Sequence, residues 1–86
     1  MSVPGADGIR ARIDAVDDAL VGLLAERAAL VAELWAAKAA AGVGVRDPAR
    51  EADVYARLRA RAEAAGLDAD AVERVFRAIV GVDLRR

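Results

Sequence analysis

Residues 9–41 read IRARIDAVDDALVGLLAERAALVAELWAAKAAA, and this stretch decides the fold. Its large apolar residues recur at intervals of three, four and seven, the spacing of one face of an α-helix. The stretch has no proline and is rich in Ala, Leu, Glu and Arg, which are good helix formers. It therefore predicts one long amphipathic helix. The residues of this face, called here the apolar seam, are Ile9, Ile13, Val16, Leu20, Leu23, Leu30 and Leu34.

Two cations share the face of the apolar seam. Arg27 takes the one position where the pattern asks for an apolar residue, and Lys38, the only lysine of the chain, follows eleven residues later. Eleven residues are about three turns, so both side chains project from nearly the same face, about 16 Å apart. Cations on a packing face need anionic partners, and two so spaced suit a small molecule with two negative groups. The alternative is an arginine whose charged end reaches water and a surface lysine.

The long helix does not fit inside a compact chain of 86 residues. A globule of this size is about 30 Å across, whereas a helix from Asp7 to Ala41 is about 50 Å long. Another chain must therefore cover most of the apolar seam. We expect an obligate, intertwined oligomer, most simply a two-fold homodimer, in which residues 1–86 form a single helical domain.

Capping signals mark the bounds of this helix and of two shorter ones. Asp7 is expected to cap the first helix after the Pro4-Gly5 breaker, and Gly42 and Gly44 are expected to end it. Val43 to Arg46 are then a short loop. The fold class predicted from these signals is all-α, with one long and two shorter helices.

The two shorter helices follow from the second half of the chain. Asp47-Pro48 is a strong start signal for the second helix, which stops at Gly66. Asp68 is expected to cap the third helix, which runs to about Leu84. Their apolar stripes are Val54, Leu58 and Ala62 on the second helix and Val72, Val75, Phe76 and Ile79 on the third.

Composition excludes several classes of function. The net charge is −1, from 13 basic and 14 acidic residues, which argues against non-specific nucleic-acid binding. There is no apolar run long enough to span a membrane and no signal peptide pattern, so a cytoplasmic location is expected. The chain lacks His, Cys and Thr and has a single Ser, which excludes a catalytic triad, a Cys nucleophile and a His-based metal site. An enzyme made from this chain must work with Arg, Lys, Asp and Glu.

Two further charged residues could contribute to a ligand site. Glu51 lies four residues after Asp47, one beyond the position that a capping box would use. It is either an acid that favours the positive end of a helix or an acceptor for a ligand hydroxyl. Arg10 lies 17 residues before Arg27, about 25 Å along the helix. It is therefore a surface charge, or it reaches the site of a partner chain in an antiparallel dimer.

The order of these motifs points to a known family. They are Ile9-Arg10-x-x-Ile13-Asp14-x-x-Asp17, Leu23-Leu24-Ala25-Glu26-Arg27, Lys38, and Val45-Arg46-Asp47-Pro48-x-Arg50-Glu51. Together they closely resemble the all-helical chorismate mutases, over a range from about Ile9 to Val80. The resemblance implies an intertwined dimer of three-helix subunits, in which the long first helices span both active sites.

The resemblance also implies roles for individual residues. Arg27 would pair with one carboxylate of chorismate, and Arg10 from the partner subunit would hold the other. Lys38 would meet a carboxylate and the ether oxygen. Glu51 and the backbone at Asp47 would bind the ring hydroxyl, with Arg50 in a supporting role near the pocket.

The implied reaction suits the residues available. Conversion of chorismate to prephenate, a step toward phenylalanine and tyrosine, is an intramolecular rearrangement that needs no base, nucleophile, metal or cofactor. It needs the substrate held in a chair-like conformer. It also gains from a cation at the ether oxygen, where negative charge grows as the C–O bond breaks.

The C-terminus departs from the family pattern, and this leaves alternatives open. Family members usually carry a Ser near Asp83, and a Gln or Glu one turn later that would fall past Arg86. Some short members gain activity in complex with the first enzyme of the shikimate pathway, which is one interpretation for this chain. The alternatives are an isochorismate pyruvate lyase or aminodeoxychorismate mutase, a non-catalytic dimerisation or regulatory module, and a coiled-coil adaptor.

Overall fold

The computed structural model describes residues 3–42 and 47–82. Within these ranges the chain forms three α-helices and no strand, which confirms the predicted all-α class. The helices are α1 (Ala6–Ala41), α2 (Pro48–Ala64) and α3 (Ala69–Gly81). The predicted loop at 43–46, which includes Gly44, lies outside the described residues, as do Asp83 and Leu84.

The first helix begins slightly earlier than its capping signal indicates. Gly5 adopts a left-handed conformation with φ 80°, and the Ala6 N–H donates to the Val3 carbonyl at 3.0 Å. Asp7 therefore lies inside the first turn and makes no capping hydrogen bond. The prediction that Asp7 is the N-cap was wrong, because the glycine turn already directs the chain into the helix one residue before it.

The second helix has the predicted signals at both ends. Pro48 is its first residue, and the Asp47 side chain accepts a hydrogen bond from the Arg50 N–H at 3.1 Å. Beyond its last turn, Gly66 has φ 77°, and the Leu67 N–H donates to the Ala62 carbonyl at 2.8 Å. Such a left-handed turn satisfies carbonyls that the helix end leaves free, and it turns the chain back along α2.

The third helix starts as predicted but ends early. The Asp68 side chain accepts hydrogen bonds from the N–H groups of Asp70 and Ala71, at 2.9 and 3.2 Å. The last helical residue is Gly81, and Val82 is extended, with φ −116° and ψ 134°. The predicted end near Leu84 was therefore wrong, since the helix stops at Gly81, and glycine has the weakest helix propensity of the residues in this segment.

The three helices do not form one closed core. Helices α2 and α3 pack on each other, whereas no Cα atom of α1 comes within 8 Å of a Cα atom of either. Ala62 and Ala69 are the only apolar residues buried in the described part of the chain. Every residue of the apolar seam is between 51% and 60% exposed.

The molecule is elongated as a consequence. Its extents are 59 × 29 × 17 Å and its radius of gyration is 17.1 Å, compared with about 12 Å for a compact chain of this length. Its accessible surface is 7119 Å², compared with about 4,900 Å² for a compact monomer of this mass. None of the helices in the described ranges is long and apolar enough to cross a membrane.

Candidate functional site

The two cations on the seam face lie in a partly shielded stripe of α1. Arg27 and Lys38 are both half-buried, unlike Arg10 near the start of the same helix, which is exposed. The other members of the stripe are apolar, so Arg27 and Lys38 are its two charged residues. Between positions 24 and 38 the half-buried residues of α1 are Leu24, Arg27, Ala28, Val31, Ala32 and Lys38.

The end of α1 fixes the position of Lys38. The backbone carbonyls of Lys38 and Ala39 accept hydrogen bonds from the N–H of Gly42, which has φ 68°. Lys38 thus lies in the last turn of the helix, where the negative end of the helix dipole favours an ammonium group. The rigid helix holds Lys38 about 16 Å from Arg27 by the rise per residue.

The remaining candidate residues lie at the start of α2, after positions 43–46 in the chain. Asp47 and Arg50 are exposed, and Glu51 is half-buried. The carboxylate of Asp47 caps the helix through the Arg50 N–H, while the Glu51 N–H donates to the Asp47 carbonyl at 3.0 Å. Asp47 is therefore the N-cap of α2, as the sequence predicted.

Arg10 is remote from the other candidates within one chain. It lies on α1 about 25 Å from Arg27 along the helix axis, and its side chain is 74% exposed. Its Nη1 atom is 3.8 Å from Oδ1 of Asp7, one turn earlier. This contact was not predicted from the sequence, although an acid and a base three residues apart on a helix are neighbours.

A cluster of charges between α2 and α3 was also missed. Nη1 of Arg59 lies 2.8 Å from Asp70 and 3.2 Å from Glu73, and Nε of Arg77 lies 2.9 Å from Glu73. The Arg77 guanidinium also covers the ring of Tyr55, 4.3 Å from its centroid. The spacing of Glu73 and Arg77 could have revealed their pair, but the contacts of Arg59 depend on how the two helices pack.

These contacts change the acidities of the cluster. The hydrogen bond from Arg77, reinforced by Arg59, holds the pKa of Glu73 below its ordinary value of 4.5, and partial burial opposes this shift. Hydrogen bonds to Asp70 and Glu73 raise the pKa of Arg59. The cluster neutralises its own charges, so it joins two helices rather than offering a free cation to a ligand.

An apolar hollow of about 460 Å³ opens at the start of α3. It contains none of the candidate cations, so it is separate from the site on α1. In the described part of the chain no group of three or more acidic side chains is placed to hold a metal ion. The hollow is lined by Leu67, Asp68, Ala71, Val72, Val75 and Phe76.

The sequence matches the family described as chorismate mutase type II over residues 9–84. This range includes all three helices except the first three residues of α1. It also contains every candidate residue on α1 and at the start of α2.

Three relatives illustrate this similarity. The T-protein of Enterobacter agglomerans is 43% identical over 72 residues, and the bifunctional chorismate mutase/prephenate dehydratase of Escherichia coli K12 is 40% identical over 72 residues. Each alignment covers 84% of this chain but 19% of the relative, so the chain spans about a fifth of their length. The chorismate mutase of Methanocaldococcus jannaschii is 29% identical over 72 residues, which are 84% of this chain and 73% of that protein.

Proposed function

This chain belongs to the chorismate mutase type II family, and from that premise we propose that it converts chorismate to prephenate. The observation that supports this best is the pair of half-buried cations, Arg27 and Lys38, in an otherwise apolar stripe of one rigid helix. A site that is partly screened from water strengthens the attraction between such cations and a dianion. The reaction is therefore an isomerisation that depends on positioning and on fixed charge.

Each cation has a separate task in this proposal. Arg27 binds one carboxylate of chorismate, because a guanidinium can donate two parallel hydrogen bonds to it. Lys38 contacts a carboxylate and the ether oxygen of the bond that breaks. Negative charge grows on that oxygen in the transition state, so the ammonium stabilises the transition state more than the bound substrate.

The residues at the start of α2 hold the far side of the substrate. Glu51 accepts a hydrogen bond from the ring hydroxyl, and the backbone at Asp47 contributes to the same contact. Arg50 supports the pocket from the first turn. Together these contacts keep the substrate in its chair-like conformer, which lowers the entropic cost of reaching the transition state.

The second carboxylate is bound by Arg10 of a partner subunit. Within one chain Arg10 and Arg27 are about 25 Å apart, but two antiparallel α1 helices bring Arg10 of one chain beside Arg27 of the other. The exposed seam and the excess of about 2,200 Å² of surface over a compact monomer support such a homodimer. A shared interface of this size falls in the range of obligate dimers.

The test is to mix the purified protein with chorismate and follow the loss of its diene absorbance. We expect turnover by the wild type, and a loss of at least about 100-fold in kcat/KM for Lys38→Ala and for Arg27→Ala. The matched control is Arg61→Ala, which removes an exposed arginine of α2 and should leave turnover unchanged. Circular dichroism must show that all variants keep their helical content.

The outcomes separate the alternatives. Wild-type turnover in Lys38→Ala or Arg27→Ala would contradict the site. Release of pyruvate from isochorismate would identify a lyase of the same fold, and no reaction with any of these substrates would favour a non-catalytic module. The cytoplasmic location and an activating complex with a shikimate-pathway enzyme remain predictions, and assays with that enzyme added would test the second.

A further inference from the structure

Arg10 already has an anionic neighbour in its own chain, which would compete with the proposed ligand for Arg10. Oδ1 of Asp7 lies 3.8 Å from Nη1 of Arg10, and their side chains are 87% and 74% exposed. At this distance the two groups form an ion pair without a hydrogen bond. A pair so exposed is weak and exchanges easily, so Arg10 can leave Asp7 when a better anion arrives.

Asp7 is carried on the same rigid turn as Arg10. When Arg10 reaches a site on a partner subunit, the Asp7 carboxylate therefore comes with it. This carboxylate then acts twice against a dianionic ligand, because it occupies Arg10 beforehand and repels the incoming negative charge. We expect neither effect to change much during the rearrangement itself, because the carboxylate that Arg10 binds keeps its charge while the new negative charge grows at the ether oxygen, beside Lys38.

We propose that Asp7 lowers the affinity of the site for its dianionic substrate by competing with the substrate for Arg10. The inference rests on the proposed function, in which Arg10 binds a substrate carboxylate across the dimer. Asp7 has a simpler role too, since an acid in the first turn stabilises a helix through its dipole. That role alone predicts a change in stability and none in substrate affinity.

The experiment compares steady-state kinetics of the wild type and Asp7→Asn with chorismate. We expect KM to fall two- to fivefold, the range that a surface ion pair allows, while kcat stays within experimental error. Asp7→Glu keeps a carboxylate within reach of Arg10 and should restore a KM close to that of the wild type. The difference between Asp7→Asn and wild type should shrink at high salt, because exposed charges are screened.

Glu63→Gln is the matched control. It removes one negative charge from an exposed position on α2, outside the proposed site, and should leave KM unchanged. An unchanged or higher KM in Asp7→Asn, with an active wild type, would overturn the role of Asp7 and leave the proposed function standing. An equal fall in KM in Glu63→Gln would also overturn it, since the effect would then be one of net charge. Absence of turnover in the wild type would overturn both proposals.

Discussion

Two glycines of the first helix differ in what they contribute to stability. Gly22 lies near the middle of α1, and a Cβ atom added there would meet no heavy atom within 4 Å apart from its chain neighbours and the nearby backbone of its own helix. Gly42 follows the last turn with φ 68°, a left-handed conformation that costs other residues about 1–2 kcal/mol. Glycine at position 22 therefore only weakens the helix, whereas the backbone conformation at position 42 favours glycine.

We therefore expect opposite effects from the same substitution. Gly22→Ala should raise the free energy of unfolding by about 0.5–1 kcal/mol, and Gly42→Ala should lower it by about 1–2 kcal/mol. Urea unfolding at one fixed protein concentration measures both, since the stability of the proposed dimer would depend on concentration. A destabilising Gly22→Ala would indicate that a second chain approaches α1 closely at this point.

For single residues, the sequence correctly predicted the features that depend only on residues nearby in the chain. The caps at Asp47 and Asp68 and the stop at Gly42 were correct because each satisfies backbone groups within three or four residues. Asp7 was misplaced because a left-handed glycine and a good N-cap residue compete for the same helix start. The separation of Arg27 and Lys38 followed from helix geometry, but their partial burial depends on the folded chain.

The packing of α2 against α3 relies on charges as well as on apolar contacts. On the α3 side, Val72, Phe76 and Ile79 are half-buried, but Val75 is 58% exposed. Next to this thin apolar contact, Arg59 of α2 bridges Asp70 and Glu73 of α3. Sequence patterns predicted the apolar stripes but not this bridge, because the register between two helices cannot be read from either one alone.

The stability of this helix pair should depend on pH through Glu73. Its pKa in the folded chain is lowered, chiefly by the hydrogen bond from Arg77. A lowered folded-state pKa stabilises the fold at pH values above the unfolded-state value of 4.5, and the contribution is lost as the pH falls through the folded-state value. Glu73→Gln should therefore lower the unfolding temperature at about pH 7 and change it much less at about pH 3.

Thermal unfolding followed by circular dichroism at both pH values tests this expectation. Glu63→Gln is the control here as well, since its carboxylate is exposed and lies outside the cluster. We expect it to show a smaller effect than Glu73→Gln at neutral pH. An equal effect of the two variants, or an effect of Glu73→Gln that is independent of pH, would contradict the role of the cluster.

The elongated shape of the whole chain follows from the length of α1. A helix of 36 residues is about 54 Å long, and the longest extent of the molecule is 59 Å. The chain cannot fold its other two helices over such a rod, so the apolar seam stays exposed along its length. Helix length and seam were both readable from the sequence, whereas the second molecule that we propose to cover the seam could only be inferred.

The last prediction follows from the proposed dimer and concerns the middle of the apolar seam. Leu20 is 51% exposed in the single chain, so a charged side chain there costs a monomer little. In a dimer that buries the seam, Leu20→Glu places an unpaired carboxylate in an apolar interface, which costs several kcal/mol. We therefore expect Leu20→Glu to be monomeric in sedimentation equilibrium at concentrations where the wild type is dimeric. It should also lose activity, because Arg10 then has no partner site to reach.

Ala29→Glu provides the matched control for this substitution. Ala29 is also exposed on α1, but it lies about 180° around the helix from Leu20 at 100° per residue. The same charge at Ala29 should leave both the dimer and its activity intact. A dimeric, active Leu20→Glu would contradict the burial of Leu20 in the interface. A wild type that sediments as a monomer would contradict the shared site, because Arg10 could then not be a ligand from across an interface, and the second substrate carboxylate would need another partner within the same chain.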